Sequence, residues 1–291
     1  MKKLLHVLVA TALGITSLLA HAEDPNALRA KYAELREPLR SNSFGRAIYI
    51  NSTETNDVLT GDIYAVLDHP FKTVSESLKG PGDWCDIMLL PFNTKYCHAN
   101  GAGDAVTLDV RIGRKFDQPV QDAYQIDFAY KAVAASADYL ESRLTAATGP
   151  LGTRNYRIAI SAVPLDNGKS FMHLSYSYGY GFAGRLAMQA YLSTAGASKV
   201  GFSSAGKTAN GEPVLIGGMR GAIERNVMRY YLAIDSYLVS QSASPQQRVD
   251  KQISTWFNAT ERYARQLHEM DRAQYVSMKR AEYERAQTAL N

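Results

Sequence analysis

One histidine in this sequence, His173, has surroundings that suit a general acid or base. It stands between Met172 and Leu174 in a segment with strand periodicity. Imidazole titrates near neutral pH, so a histidine that faces a cavity can move a proton together with a nearby Tyr or Asp. A core histidine with satisfied hydrogen bonds explains the same pattern. Catalysis by His173 is therefore kept as an alternative, and no catalytic residue is assigned.

The two cysteines, Cys85 and Cys97, lie close together in the chain. In an oxidising compartment such a pair forms a disulfide, and closing this short loop stabilises the fold by roughly 3 kcal/mol in the chain-entropy model. The alternative is a metal site completed by His69 and His98, but no CxxC or HxxxH spacing accompanies the cysteines. The sequence favours the disulfide, and we expect no metal site.

Residues 179–184, GYGFAG, match the GxGxxG pattern of dinucleotide-binding loops. That loop holds phosphate at a helix N-terminus inside a βαβ unit, with an acidic residue about twenty positions further on. Neither the βαβ alternation nor the acidic residue accompanies the motif here. We expect a flexible corner between a strand and a helix at the mouth of a cavity, and no cofactor.

The first 22 residues have the three parts of a secretory signal peptide: Lys2 and Lys3, an apolar run over 4–19, and a small-x-small cleavage site at 20–22. They predict cleavage before Glu23 and export to a bacterial periplasm. Removing the two lysines lowers the net charge from +4 to +2, which is too small to favour a nucleic-acid partner. No later run is apolar enough to span a membrane.

Most of the chain between residues 46 and 178 has the alternating pattern of antiparallel strands. In TLDVRIGR, for example, Leu108, Val110 and Ile112 point one way and the residues between them point the other. Asn167-Gly168 is the strongest hairpin turn, because both residue types tolerate positive φ angles. The pattern predicts a curved antiparallel sheet with two different faces.

A long helix is predicted over residues 217–239. Its apolar residues recur at intervals of three and four and form one stripe, which needs a partner surface. The members of this stripe are Ile223, Val227, Tyr230, Tyr231, Ile234 and Leu238. We expect the sheet to close on this helix.

After Pro245 the chain is charged, with one apolar seam over residues 249–270 that steps by three and four. Such a seam predicts either a helical appendage that folds back on the body or, less favoured, a dimer coil. The last fifteen residues, rich in Lys, Arg and Glu, are typical of a solvated helix.

This order of elements resembles the helix-grip fold of START-like proteins, the polyketide cyclase or Bet v 1-like (SRPBCC) superfamily. The resemblance rests on residues 61–78, GDIYAVLDHPFKTVSESL, similar to the second strand and the helices after it, and on residues 217–238, GGMRGAIERNVMRYYLAIDSYL, similar to the gripping helix. It covers about residues 46–238. It implies an α+β fold in which a curved antiparallel sheet wraps around a long C-terminal helix.

The chain is predicted to divide into a signal peptide (1–22), a START-like domain (23–241) and a helical C-terminal extension (245–291). The resemblance also implies an apolar cavity between the sheet and the helix, because members of this superfamily bind lipids, sterols or other hydrophobic molecules there. The residues expected to contact such a ligand are Ile223, Val227, Tyr231 and Ile234 on the helix and Tyr176 and Tyr178 on a strand. Arg220 or Arg225 is expected to hold its carboxylate or phosphate head group.

The function expected from the sequence is that of an exported, periplasmic binding protein for a lipid or other hydrophobic molecule, without chemistry. Two alternatives remain. One is an enzyme of the cyclase or hydrolase type that uses His173 in the same cavity. The other is an envelope interaction protein, with a protein partner or a second copy bound through residues 249–270.

Overall fold

The computed structural model describes residues 24–194, 196–288 and 290, and the predicted signal peptide at 1–22 lies outside them. The strands are β1 (Ile48–Thr55), β2 (Val58–Leu67), β3 (Thr94–Asn100), β4 (Thr107–Ile112), β5 (Tyr124–Ala135), β6 (Leu140–Thr148), β7 (Arg154–Pro164), β8 (Ser170–Gly179), β9 (Ser204–Lys207) and β10 (Pro213–Leu215). The helices are α1 (Pro25–Glu34), α2 (Arg36–Arg40), α3 (Phe71–Leu78), α4 (Pro81–Leu89), α5 (Phe182–Ser193), α6 (Gly218–Ser240), α7 (Arg248–Glu261), α8 (Ala264–Leu267) and α9 (Arg272–Ala286).

The body of the protein is an eight-stranded antiparallel sheet in the order β1-β2-β8-β7-β6-β5-β4-β3. The early strand β2 pairs with β8, the last strand of the sheet, with Ile63 opposite Leu174. Register shifts interrupt the pairing in β3, β5 and β7. Such bulges bend a sheet, so one face becomes concave.

Two hairpins have the turns that their sequences predict. Asn56 and Asp57 both have positive φ, 50° and 62°, between β1 and β2, and Gly168 has φ 73° between β7 and β8. These values match turns whose twist suits two antiparallel strands. The predicted hairpin over residues 46–67 and the predicted turn at Asn167-Gly168 are both confirmed.

The long helix α6 packs into the concave face, as the sequence predicts. Gly61 in β2 allows this close approach, because a Cβ there would lie 3.1 Å from Ile223 Cγ1 and 3.3 Å from Val227 Cγ1. The main core lies between this helix and the inward residues of the sheet, such as Ile63 and Leu174, which are fully buried. The chain therefore has an α+β helix-grip fold.

Helices α1 and α2 cover part of the outer, convex face of the sheet. Leu28, Leu35 and Leu39 pack there against Val163 and Phe171 in a second, smaller core.

The C-terminal helices fold back on the body, so the first of the two alternatives for residues 249–270 is the one observed. Trp256 in α7 is fully buried, and its indole Nε1 donates to the carbonyl oxygen of Arg229 in α6 at 3.1 Å. Ile253, Leu267 and Met270 are buried in the main core. The apolar side of the seam is covered by its own chain, which corrects the idea that it serves as a dimer surface.

The last helix, α9, is not the solvated helix that its charges predict. Lys279 and Glu282 are buried, and so is Lys95 of β3. The three side chains form a cluster, which we call the lysine–glutamate cluster. One oxygen of Glu282 lies 3.0 Å from Lys95 Nζ and the other lies 2.6 Å from Lys279 Nζ. The remaining ammonium protons reach backbone carbonyls, including those of Phe92 and Pro91, and the sulfur of Met278. Pairing within the chain lets these charges lie inside.

Within the described part of the chain, no helix combines the length and apolar character that a membrane crossing needs.

Candidate functional site

A cavity of about 300 Å³ lies between the concave face of the sheet and the N-terminal half of α6. Three residues of this helix line it: Met219, Asn226 and Tyr230. They share one side of α6 because their spacings of seven and four residues return to the same face of a helix. The cavity lies where a curved sheet and a single helix leave space between them.

The sheet wall of the cavity is aromatic. Tyr156 and Tyr178 stack with ring centroids 5.3 Å apart, and Tyr176 meets Tyr230 of the helix edge to face at 5.5 Å. Phe128 lies 6.2 Å from Tyr156. Side chains with an apolar ring and a polar tip suit a pocket for an apolar molecule that also carries a polar group.

The hydroxyls of three of these tyrosines have no hydrogen-bond partner among the described residues: those of Tyr176, Tyr178 and Tyr230. By contrast, the Tyr156 hydroxyl donates to Thr153 Oγ1 at 2.7 Å, and Thr153 in turn donates to the carbonyl oxygen of Pro150. Buried hydroxyls are normally paired. Three unpaired ones around one cavity are available to a bound molecule or to water.

Burial keeps these phenols neutral. It raises the pKa of Tyr176, Tyr178 and Tyr230 above that of a free phenol. Tyr180, at the edge of the cavity, donates to Glu54 Oε1 at 2.5 Å, and burial followed by this hydrogen bond raises its pKa to about 12. A neutral hydroxyl can both donate and accept a hydrogen bond. Because these phenols keep their protons at neutral pH, none of them can act as a general base.

Helix α5 covers the cavity, and the GxGxxG segment forms the corner that leads into it. Gly184 lets the helix sit close to this corner, since a Cβ there would lie 3.3 Å from Tyr180 Cβ. Met188 and Tyr191 line the cavity, whereas Phe182 on the same helix is 81% exposed. The predicted corner between a strand and a helix is observed, and it lies at the cavity.

The predicted ligand-binding stripe of the long helix is buried but does not line the cavity. Ile223 and Val227 pack against β2, where Gly61 makes room for them. Tyr231 lies under the guanidinium of Arg46, 5.3 Å from its ring centroid, and Ile234 is fully buried in the core. The cavity face of α6 is the neighbouring face, with Asn226 in the middle. The two strand tyrosines predicted from the sequence, Tyr176 and Tyr178, do line the cavity.

The two predicted anchor arginines are bound to backbone outside the cavity lining. Arg220 Nη2 donates to the Ser52 carbonyl oxygen at 2.6 Å, which fastens the start of α6 to β1. Arg225 is 2% exposed and donates to the Val200 carbonyl oxygen at 3.3 Å. Neither side chain is part of the cavity lining, although the charge of Arg225 acts on Tyr191, which is.

His173 faces away from the cavity, which corrects the alternative in which it acts there. It lies on the outer face of β8, since Leu174 and Tyr176 occupy the inner face. Its Nε2 is 2.9 Å from Asp62 Oδ1, and its ring stacks on Tyr64 with centroids 4.1 Å apart. The arrangement is that of a histidine held within the sheet surface.

Cys85 and Cys97 form the predicted disulfide, which joins α4 to β3. Among the residues that the structure describes, no group of three or more His, Cys, Asp or Glu side chains is arranged to hold a metal ion.

Several cavity residues were missed by sequence reasoning, among them Asn226, Tyr230 and Tyr191. Tyr230 was counted in the apolar stripe but was not assigned to the ligand. A signal for Asn226 was present in the sequence. It is the single amide on a helix face that also carries Met219, seven residues before it, and Tyr230, four residues after it. A polar residue on an otherwise apolar face of a buried helix indicates a polar partner or a cavity.

No protein-family model matches the sequence, and no curated protein matches it. Some solved structures are similar to this chain. They include a conserved protein from Geobacillus kaustophilus (TM-score 0.38, 12% identity, 62% of this chain and 96% of that chain). Ara h 8.0201 has a TM-score of 0.36 and 11% identity, over 63% of this chain and 99% of that chain. Norcoclaurine synthase from Thalictrum flavum, in complex with dopamine and hydroxybenzaldehyde, has a TM-score of 0.37 and 13% identity, over 68% of this chain and 90% of that chain.

Ara h 8.0201 and norcoclaurine synthase are Bet v 1-like helix-grip proteins. The eight-stranded sheet with the long helix on its concave face, described above, is the fold that the resemblance in the sequence predicts. At TM-scores this low, the similarities carry no conclusion about ligand or activity.

Proposed function

We propose that this protein is an exported binding protein that holds a lipid or another hydrophobic small molecule in the cavity beneath α5. The observation that carries the proposal is the set of unpaired hydroxyls of Tyr176, Tyr178 and Tyr230 around an otherwise aromatic and apolar space. These hydroxyls have no partner within the described part of the chain and still keep accessible surface, so a molecule in the cavity can form hydrogen bonds with them without displacing a bond inside the protein.

The size of the cavity supports a compact ligand. Its volume of about 300 Å³ lies at the lower end of the range for small-molecule sites, roughly 300–1,000 Å³. Each buried methylene group contributes about 0.8 kcal/mol to binding before the costs of association. A ring system or a medium-length chain with one polar end fits both the volume and the lining.

The proposed route of access runs beneath α5. This helix presents Phe182 and Leu186 to solvent, 81% and 57% exposed, next to Leu151 at 53%. Large apolar side chains exposed together at a cavity mouth suit the transfer of an apolar molecule into or out of it. Movement of α5 away from the turn at 150–152 would uncover Met188 and Tyr191.

The proposed location is the periplasm, reached by cleavage of the signal peptide at residues 1–22. The Cys85–Cys97 disulfide supports this location, because such bonds persist in oxidising compartments. Intact-mass measurement of the protein recovered from a periplasmic fraction tests it. We expect a chain that begins at Glu23; an unprocessed chain in the cytosol contradicts the proposal.

Native mass spectrometry of the mature protein, purified without detergent and followed by extraction, tests the binding proposal. We expect one small apolar molecule per chain. The matched control is Ala187→Trp, which fills the cavity from α5 and is expected to carry none while folding normally by circular dichroism. A wild-type protein that carries nothing and also binds no added apolar probe contradicts the proposal.

A further inference from the structure

Three cations contact one carboxylate behind the wall of the cavity, and a fourth, Arg225, lies beside one of them. A single oxygen of Glu269, Oε1, lies 2.6 Å from Arg229 Nη2, 2.7 Å from Lys115 Nζ and 3.4 Å from Lys199 Nζ. Arg225 lies close enough to Arg229 to lower its pKa, after the larger effect of burial. One carboxylate cannot balance these four side chains, which we call the basic cluster.

The basic cluster has a buried group without a partner. Arg229 is 7% exposed, yet its Nε has no hydrogen-bond acceptor among the described residues. A buried guanidinium normally has its donors paired. The positive charge of the cluster is therefore left under-compensated inside the protein, where the low dielectric extends its influence.

Two residues of the cavity wall touch the basic cluster directly. Arg229 Nη1 donates to Asn226 Oδ1 at 3.4 Å, which leaves the amide NH₂ of Asn226 without a partner in the described chain. Lys115 Nζ lies 5.3 Å from the centroid of the Tyr191 ring. Both Asn226 and Tyr191 line the cavity.

The pKa of Tyr191 reflects the positive charge of the basic cluster. Burial would raise the pKa of its phenol, but the charges of Lys115 and Arg225 outweigh burial and the pKa lies below its usual value. The phenols of the sheet wall, such as Tyr176, have raised pKa values instead. The positive charge lies at the Tyr191 end of the cavity, because Lys115 Nζ is 5.3 Å from the centroid of that ring.

We propose that the ligand carries an anionic carboxylate or phosphate group, which lies against Asn226 and Tyr191 in front of the basic cluster. The free amide NH₂ of Asn226 donates to this group, while its apolar remainder contacts the aromatic sheet wall. The inference rests on the proposed binding function and adds the ligand's charge and orientation to it. It also replaces the anchor role that the sequence assigned to Arg220 and Arg225. The anion contacts the neutral side chains of Asn226 and Tyr191, and the charge of the basic cluster behind them strengthens these contacts.

Competition with a neutral fluorophore, N-phenylnaphthylamine, tests the inference on the full mature chain after delipidation. The competitors are decanoate, decyl phosphate and decanol, which share one hydrocarbon chain. We expect the better of the two anions to bind at least about tenfold more tightly than decanol at low salt. Whichever anion binds better identifies the head group, and added salt is expected to reduce the preference.

Asn226→Asp places a negative charge at the proposed anion position without changing the size of the side chain, and it is expected to abolish the preference of anion over alcohol. Lys115→Gln, on a surface loop, is expected to reduce the preference about threefold. Lys131→Gln, at an exposed position of β5, is the control with the same change in net charge and is expected to leave the preference unchanged. Lys115→Gln keeps the test valid if the Asn226 variant does not fold.

Equal binding of anions and alcohol by the wild type overturns the inference and leaves the proposed function standing. A preference that persists unchanged in both Asn226→Asp and Lys115→Gln places the anion elsewhere and also overturns it. If a folded wild type binds none of the compounds, both the proposed function and the inference are wrong.

Discussion

The lysine–glutamate cluster and the tyrosine cavity both bury polar groups, and they treat those groups in opposite ways. Lys95, Lys279 and Glu282 are at most 1% exposed, and the chain supplies partners for each of them. The hydroxyls of Tyr176 and Tyr230 have none among the described residues. Most buried polar groups in proteins are paired, although the buried Tyr231 hydroxyl in this core is an exception among the described residues. In the proposed function, the hydroxyls around the cavity are left for a bound molecule.

The largest effect is expected from breaking the paired region. Glu282→Gln keeps the shape but leaves two buried ammonium groups without a counter-charge, which should cost about 3–5 kcal/mol of unfolding free energy. The matched control is Glu284→Gln, an exposed glutamate on the same helix, with an expected change within about 0.5 kcal/mol. Urea unfolding of both variants measures the difference. Equal stability of the two would show that the cluster does not hold α9 in place.

Asp86 extends the comparison, because it is a half-buried acid whose carboxylate has no hydrogen bond or ion pair among the described residues. Burial first, and then the charge of Asp83, raises its pKa from 3.8 to about 6. A raised carboxyl pKa means that the folded state binds the proton more tightly than the unfolded state does. The protonated Asp86 therefore adds to the free energy of unfolding below pH 3.8, and this contribution is lost as the pH rises to about 6.

We therefore expect Asp86→Asn to stabilise the protein at neutral pH by about 2–3 kcal/mol, since an amide removes the cost of the buried charge. The gain should shrink towards zero as the pH falls below the unfolded value. Thermal unfolding over this pH range measures it, and Asp127→Asn at an exposed position gives the baseline for the same chemical change. A gain that does not vary with pH would contradict this account of Asp86.

The smallest expected effect is a difference in stability between two variants of cavity tyrosines, one whose hydroxyl is hydrogen-bonded and one whose hydroxyl is not. Tyr156→Phe removes the hydrogen bond to Thr153 and should cost about 0.5–1.5 kcal/mol. Tyr230→Phe removes a hydroxyl without a protein partner and should change the stability of the ligand-free protein by less than about 0.5 kcal/mol. Urea unfolding after delipidation compares them. Equal losses would mean that the Tyr230 hydroxyl has a partner after all.

The fold was predictable because each of its parts has a local signal. Alternation as in Leu108, Val110 and Ile112 marks the strands, positive-φ residue types mark the turns, and the stripe that includes Ile223 and Val227 marks the gripping helix. Each signal depends on neighbours along the chain, which is what periodicity reports.

The cavity face of α6 was not predictable in the same way. Periodicity shows which residues of a helix are apolar, but this helix is buried on most of its circumference, and even Glu224 and Arg225 are covered. Its apolar stripe packs on β1 and β2, and α7 covers another side. The face of α6 that remains lines the cavity, and it carries Asn226 and Tyr230.

Two other errors have the same origin. Alternation around His173 shows that successive residues face opposite sides of the sheet, but not which side is concave. The charges of Lys279 and Glu282 predict an exposed helix because their partner, Lys95, is distant in sequence. Both features are fixed by contacts between distant parts of the chain, which a single sequence does not show.

Titration of a neutral apolar fluorophore into delipidated protein tests the central claim most directly. We expect wild-type protein to bind N-phenylnaphthylamine saturably, at one site per chain. Ala187→Trp, which fills the cavity from α5, should lose at least about tenfold in affinity while its circular dichroism stays unchanged. Identical binding by the two proteins, or none by a folded wild type, would contradict the account, because the cavity would then not be a ligand site.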